Sequence, residues 1–478
     1  MGLCLKATQV CLLLLFCSWA ALSDGTSECI EPMVRIDKKT ILVAAKKSMT
    51  ESHILEEMAE SATKNQGGAK AIKGIKGLKV TDIQPPELEM KLHEPADMEM
   101  DLGSQITIAG KSFIGGTMEI TVKSRMRTIS CIEYDANKEL KMKVKQCTVE
   151  LISCKTNLPS SMLPKIVNKF LNSTLQKVLP GMMCPATDKV LLHMEEKMKK
   201  AFEECPIGDR GTIQYTMNGL PKVHEGALDM KFKPVVRDRD GNEIANVCEA
   251  PGSEVSYSRG DGITQVVIPT AILNTVLELF KKDMDCDATR DSVSDLTVGK
   301  MKEMIPGLPD MDPSKNAKLE IRSVETPKVR IEDGKSIMAV HSTIDAKTDP
   351  DNEPICTIDM VHEWDVGYEQ VEDTMKVFLQ PETGRTTAIS MTSPSGGDIN
   401  EDQLKEYLQN AIITTCIPGI NDALEKNQMK MPNLMGADYG HPEFKMMEGH
   451  VILEVDHSNV EDDSMIDLEK FKNLKMAV

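Results

Sequence analysis

Leu140-Lys141-Met142-Lys143-Val144-Lys145-Gln146-Cys147 alternates apolar and basic side chains, so one edge of the segment is greasy and the other carries lysines. A period of two predicts a half-buried strand that ends near Cys147. Beyond Leu158-Pro159 the period changes. Leu163, Ile166, Val167, Phe170, Leu171, Thr174, Leu175, Val178 and Leu179 recur at spacings of three and four, with Lys165, Lys169, Asn172 and Gln176 on the other side. That spacing predicts an amphipathic helix of about five turns. Pro180-Gly181 is expected to stop it. A second helix is predicted over 187–204, with Val190, Leu191, Met194, Met198, Ala201 and Phe202 inward.

The apolar stripe has two readings. A helix packed on its own sheet shows such a stripe and nothing more. Long alternating strands followed by helices too few to cover them have a second solution, a bent sheet wrapped along a helix with a tunnel between.

Upstream, residues 24–69 are weakly patterned apart from a helix expected over 51–63. Lys70, Lys73, Lys76 and Lys79 follow, interleaved with Ile72, Ile75 and Leu78 and broken by glycines. As a functional element this run would be a basic tip touching anionic head groups; as a structural one it is a solvated loop entering the first strand. Alternation then marks strands through Leu88, Met90 and Leu92; Met98, Met100 and Leu102; Ile106 and Ile108; and Met118, Ile120 and Val122. Strands at 211–217 and 228–233 close the first half.

The second half repeats the first. Leu78, Val80, Ile83, Pro86, Leu88 and Met90 match Leu319, Ile321, Val324, Pro327, Val329 and Ile331 without gaps, each pair 241 residues apart. Gly219-Leu220-Pro221 with Glu225-Gly226 likewise parallels Gly440-His441-Pro442 with Glu448-Gly449. A repeat this long is a duplicated domain rather than a solenoid. In the second copy a helix is expected over 401–427, with a kink or break at Pro418, and a shorter companion over 270–284. Strands are expected over 337–344, 355–361 and 450–455. The polar stretch 237–262 reads as the connection between halves. Its Asp238-Arg239-Asp240-Gly241-Asn242-Glu243 has part of a calcium loop's spacing, without flanking helices or the distant Glu.

The run from Leu78 through Pro86 and Leu88 resembles the bactericidal/permeability-increasing (BPI-like) family of lipopolysaccharide-binding, lipid-transfer and palate-lung-nasal epithelial proteins. So do the Gly110-Lys111-Ser112 turn with Gly115-Gly116, and Val144-Lys145-Gln146-Cys147. Above all, Leu179-Pro180-Gly181-Met182-Met183-Cys184-Pro185 does. The two-domain "BPI fold-containing, family B" branch is the nearest match, over residues 70–455. The resemblance implies an α+β fold of two elongated barrels, each a twisted antiparallel sheet wrapped on long helices, in a pseudo-twofold boomerang about a central sheet. It also implies a Cys147–Cys184 disulfide and apolar pockets that take lipid acyl chains. The helix faces nominate Leu163, Ile166, Val167, Phe170, Leu171, Val190, Leu191 and Met194 for the first pocket. For the second they nominate Ile272, Val276, Phe280, Leu408 and Ile412.

Lys6, the apolar run 10–16 and Ala21-Leu22-Ser23 predict a signal peptide over 1–23, and hence a secreted, extracellular product. The expected boundaries are then 24–236 for the first barrel, 237–262 for the linker with the central sheet, and 263–478 for the second barrel. Of 13 cysteines, Cys4, Cys11 and Cys17 fall in the signal. An even number remains, which in an oxidising compartment favours disulfides, and no Cys-x-x-Cys pair points to zinc. Asn172-Ser173-Thr174 is a glycosylation sequon. Formal charge is −18, which argues against nucleic acid and against a cationic membrane-killing surface. There are 32 methionines against 9 phenylalanines; flexible thioethers would let a pocket accept varied ligands, although Met standing in for Leu gives the same count.

No Gly-x-Ser-x-Gly elbow, His-Glu-x-x-His or Walker loop occurs, and His362-Glu363, expected at a strand end, lacks a second histidine. The reading is a binder, not an enzyme, and no cofactor is expected. Its partners would be phospholipid, fatty acid or lipopolysaccharide-type lipids, with peripheral contact at a membrane or interface. In mucosal innate defence such a protein captures bacterial lipids or carries hydrophobes. The competing class is a surface-active structural protein that needs no stoichiometric ligand.

Overall fold

The computed structural model describes residues 30–51, 75–84, 87–112, 116–136, 139–157, 164–200, 203–245, 262–332, 334–393, 399–431 and 442–457. The signal peptide, Lys70, Lys73, Leu163 and most of the 51–63 helix lie outside them. Side chains of Lys76, Lys79, Ile166, Val167 and Phe170 also lie outside.

In chain order, β1 (Met33–Asp37) runs straight into α1 (Lys38–Glu51). Next come β2 (Ile75–Ile83), β3 (Glu87–His93), β4 (Asp97–Ser112), β5 (Thr117–Tyr134) and β6 (Leu140–Thr156), then α2 (Pro164–Lys200). The half closes with β7 (Cys205–Ile207), β8 (Gly211–Met217), β9 (Lys222–His224), β10 (Ala227–Asp238) and β11 (Glu243–Ile244). The second half opens in the same way, β12 (Ile263–Pro269) running into α3 (Thr270–Leu277) and a 3-10 helix (Glu278–Met284). It continues with β13 (Cys286–Ala288), α4 (Val298–Met304), β14 (Asn316–Ser323), β15 (Lys328–Glu332), β16 (Lys335–Asp349), β17 (Pro354–Val371), β18 (Thr374–Leu379) and β19 (Arg385–Ser393). Then come α5 (Glu401–Thr415), α6 (Ile417–Lys426), β20 (Met429–Lys430), β21 (Glu443–Met447) and β22 (His450–Asp456).

These strands make three antiparallel sheets, and two of them repeat one plan. The first has order β2-β4-β5-β6 with β3 also on β4; the second contains β14-β16-β17-β18 with β15 also on β16. β14 and β15 begin at Asn316 and Lys328, 241 residues after Ile75 and Glu87 open β2 and β3. The alternation seen in sequence is the cause: in β16 the inward residues Val340, Ile344 and Ala346 are buried while their neighbours are only partly covered.

The third sheet joins the halves, in the order β21-β22-β12-β1-β10-β8-β7. Its two middle strands are each other's equivalents. β1 and β12 pair antiparallel, Met33 with Val267 and Arg35 with Gln265, and each leads into its own helix. Outside them lie two hairpins, turned at Glu225-Gly226 and at Glu448-Gly449. Glu225, Gly226 and Gly449 adopt φ of 50, 79 and 79, the positive φ that tight hairpins need and glycine supplies at no cost. A polar row crosses this sheet in register from Asp229 through Arg35 and Gln265 to Glu454. Arg35 donates to Asp229 at 3.2 Å and Gln265 to Glu454 at 2.8 Å, two side-chain contacts between neighbouring strands.

Several expectations need correction. The first-half helices are one: α2 runs unbroken through Pro180 and Pro185. The second-half helix does break near Pro418 as expected, the break itself falling at Cys416, so that Pro418 sits in the first turn of α6, where a missing N–H costs nothing. The run 238–243 is a hairpin turn between β10 and β11. There the Asp238 carboxylate accepts from the Asp240 and Asn242 N–H groups at 2.9 and 2.8 Å. His362 lies in the middle of β17, not at a strand end. The strand at 450–456 belongs to the central sheet and not to the second-half sheet.

Candidate functional site

Among the described residues the apolar interior is one large cluster, running from the second half through the central sheet into the first half at Met90, Met98, Ile132, Leu140 and Met142, with two small clusters beside it in the first half. Leu171 belongs to one small cluster, with Ile120, Val122 and Leu175. Val190, Leu191 and Met194, from the same helix, belong to the large one. The described first-pocket candidates are therefore divided between two separate packing environments.

In the second half a cavity of about 40 Å³ opens between the helices and the sheet. Leu273, Val276 and Leu277 of α3, Phe280 of the 3-10 helix, and Leu424 with Asn427 at the end of α6 form its helical side. Val329, Met338, Tyr368, Met375, Val377 and Met429 form its strand side. Of the candidates, Val276 and Phe280 line it. Ile272, Leu408 and Ile412 do not; they are buried core residues. The strand-borne lining was invisible to reasoning from helix faces, because each of those residues only continues the inward alternation of its strand.

Two asparagines fix the walls. The Asn274 amide bridges the backbone of Val329, its Oδ1 accepting from Val329 N at 2.7 Å and its Nδ2 donating to Val329 O at 3.2 Å. Asn421 does the same to Leu379, at 2.8 and 2.9 Å. Each side chain imitates a neighbouring strand and so clamps a helix onto the sheet without leaving a buried polar group unpaired. The Tyr368 hydroxyl is held by Ser336 Oγ at 2.6 Å, and burial pushes its pKa up to about 12. Phe444 stacks on its ring at 5.9 Å. Tyr368 and Asn427 are thus engaged with protein groups, and the remaining lining is hydrocarbon or thioether. Such a lining excludes charged groups.

Disulfides tie helix to sheet in both halves. Cys147 of β6 joins Cys184 of α2, and Cys286 of β13 joins Cys416 at the α5–α6 break. The second bond, across 130 residues, had no signal in the sequence. Further along α2, Glu195 accepts from Met142 N at 3.0 Å and Lys141 Nζ at 3.1 Å. Burial pulls its pKa up, but these donors and Lys199 outweigh it and leave the carboxyl below its usual range. Asn172 is exposed on α2, as are Lys169 and Gln176. Lys76 and Lys79 sit in the edge strand β2. None of the described helices is long and apolar enough to cross a membrane.

The profile of the "LBP / BPI / CETP family, N-terminal domain" matches residues 35–194. The chain is 31% identical over 424 residues to human BPI fold-containing family B member 6, covering 87% of this chain and 93% of that protein. It is 22% identical over 460 residues to rat BPI fold-containing family B member 3, covering 90% and 96%. Among solved structures, a crystal structure of lipopolysaccharide binding protein superposes with a TM-score of 0.56 at 16% identity, over 89% of this chain and 98% of that one.

Proposed function

Because the chain belongs to the LBP/BPI/CETP family, in its BPI fold-containing family B branch, we propose that it is a secreted carrier holding the apolar part of a lipid in the second-half cavity. The observation that carries this is the lining itself, in which hydrocarbon and thioether groups from three helical segments and the sheet face one space. An acyl chain entering it gains ~0.8 kcal/mol for each methylene removed from water. The space is small, but Met338, Met375 and Met429 line it, and unbranched thioethers repack to widen a site at little cost.

The ligand we favour is a fatty acid or phospholipid. A net charge of −18 repels a polyanionic head group, which ranks lipopolysaccharide behind them. In the first half, Val149 and Leu151 on β6 and Leu179 on α2 are only partly buried. We place a second apolar site there, along α2. In a mucosal secretion such a carrier captures bacterial lipids or transports hydrophobes.

Native mass spectrometry of the secreted protein, with displacement of a dansylated undecanoic acid, tests the reading. Co-purifying lipid or saturable displacement by fatty acid is expected. A lipid-free protein that binds no probe overturns it.

A further inference from the structure

The β7–β8 turn belongs to the first half, yet it is fastened to the walls of the second-half cavity. Gly208 adopts φ +50, and a Cβ there would lie 1.8 Å from Asn427 Oδ1. The close approach lets the Asp209 N–H donate to that oxygen at 3.0 Å. Asn427 lines the cavity, and its Nδ2 donates to Ala423 O at 2.7 Å in the last turn of α6. The next turn residue, Arg210, donates to Asp283 Oδ1 at 2.5 Å. Asp283 is one 3-10 turn beyond Phe280, which lines another wall. Residues 208–210 therefore bridge α6 and the 3-10 helix across the same space.

We infer that this turn is a latch holding the cavity closed, and that Asn427 is the positioning residue through which cavity filling and latch docking oppose each other. This rests on the cavity being the lipid site. Asn427 caps α6 with its N–H bonded to the Leu424 carbonyl, so a chain that pushes Leu424 outward carries Asn427 away from Asp209. About 40 Å³ is too little for an acyl chain, so binding works against the latch. Coupling between two sites is reciprocal: a ligand that loosens the latch binds more tightly once the latch is already loose.

Arg210→Gln removes the ion pair without touching the lining. It should tighten binding of the dansylated fatty acid about 5- to 10-fold, the range of ordinary couplings, while Arg210→Lys stays near wild type. In hydrogen exchange the Asp209 amide should exchange faster when the probe is bound. Unchanged or weaker binding by a folded Arg210→Gln protein overturns the latch, as does an Asp209 amide indifferent to probe. If neither protein binds probe, the lipid reading fails separately. Val276→Phe then fills the cavity from within: faster Asp209 exchange supports the latch and unchanged exchange refutes it.

Discussion

The long helix of the first half runs unbroken from Pro164 to Lys200 with two prolines inside it, whereas its second-half counterpart breaks at Cys416 into α5 and α6. Both are bound to a sheet by a disulfide at that place, but to different strands, β6 in one and β13 in the other. The break gives α6 a direction of its own. It lies against β18, with Asn421 clamped to Leu379, and ends at the cavity. The unbroken helix instead follows β6, whose middle residues Val144, Cys147, Val149 and Leu151 stay only partly buried. One duplicated plan thus yields a second half with a defined cavity and a first half whose apolar residues are divided between the large cluster and two small ones. A helix break, more than any change of lining residue, separates them.

Removing the disulfides should break that comparison most strongly. Cys286→Ser with Cys416→Ser frees a loop of 130 residues and should cost about 5 kcal/mol in the chain-entropy account. Cys147→Ser with Cys184→Ser frees one of 37 and should cost about 4. Denaturant titrations with probes in each half give the order. A reversed order would mean that the first-half bond does more than close a loop.

Acid should then separate the halves. Burial pushes the His362 pKa down to about 3, with Ser342 Oγ 3.0 Å from Nε2. Its folded value lies below the unfolded one near 6.5. The neutral ring's contribution to stability is therefore complete above pH 6.5 and is lost as pH falls toward 3. Each pH unit in that window removes about 1.4 kcal/mol, about 3 in all by pH 4. Amide exchange in β17 should accelerate with acid before that in β5, and His362→Gln should flatten the difference. Equal acceleration in the two sheets would remove His362 as the cause.

How legible was this in the chain? The repeat was, because alternation in a half-buried strand writes its register into the sequence; that is why β14 and β15 fall 241 residues after β2 and β3. β1 was not. Met33, Val34, Arg35, Ile36 and Asp37 are all buried, so they carry no alternation, and the buried Arg35 finds its partners in Asp229, opposite it in the next strand, and in the His224 carbonyl. The unbroken α2 was missed because local proline rules yield here to packing along β6 and to the Cys147–Cys184 bond. At the site, Val276 and Phe280 were readable from a helix face. Asn427 and Gly208 were not, since their meeting is set by tertiary geometry alone.

Smaller effects follow from packing. Leu408 is fully buried in the core, and enlarging it to Phe should cost about 1–3 kcal/mol. Val276 borders the cavity, so Val276→Phe should cost less than about 1 kcal/mol while competing with the fatty-acid probe. Thermal melts with probe titration read both. Equal destabilisation would mean that the space beside Val276 cannot take a larger side chain.

The prolines give the smallest effects and the sharpest contrast, because the two helices predict opposite signs. Pro180 sits inside α2 and withholds the N–H that would have bonded one turn back. Pro→Ala there restores a donor, and a helix-interior proline can cost about 3 kcal/mol relative to alanine. Part of that gain is absent, since α2 already accommodates the ring and alanine leaves the unfolded chain freer. Pro180→Ala should therefore raise stability by about 1 kcal/mol. Pro418 lies in the first turn of α6, where no intrahelical partner is lost and the ring only restricts the unfolded chain. Pro418→Ala should lower stability by about 0.5 kcal/mol. The two single variants and their double variant, melted side by side, read the signs directly. If both lose stability, Pro180 is holding a bend that α2 needs against β6, and the first-half helix is shaped by its proline rather than merely tolerating it.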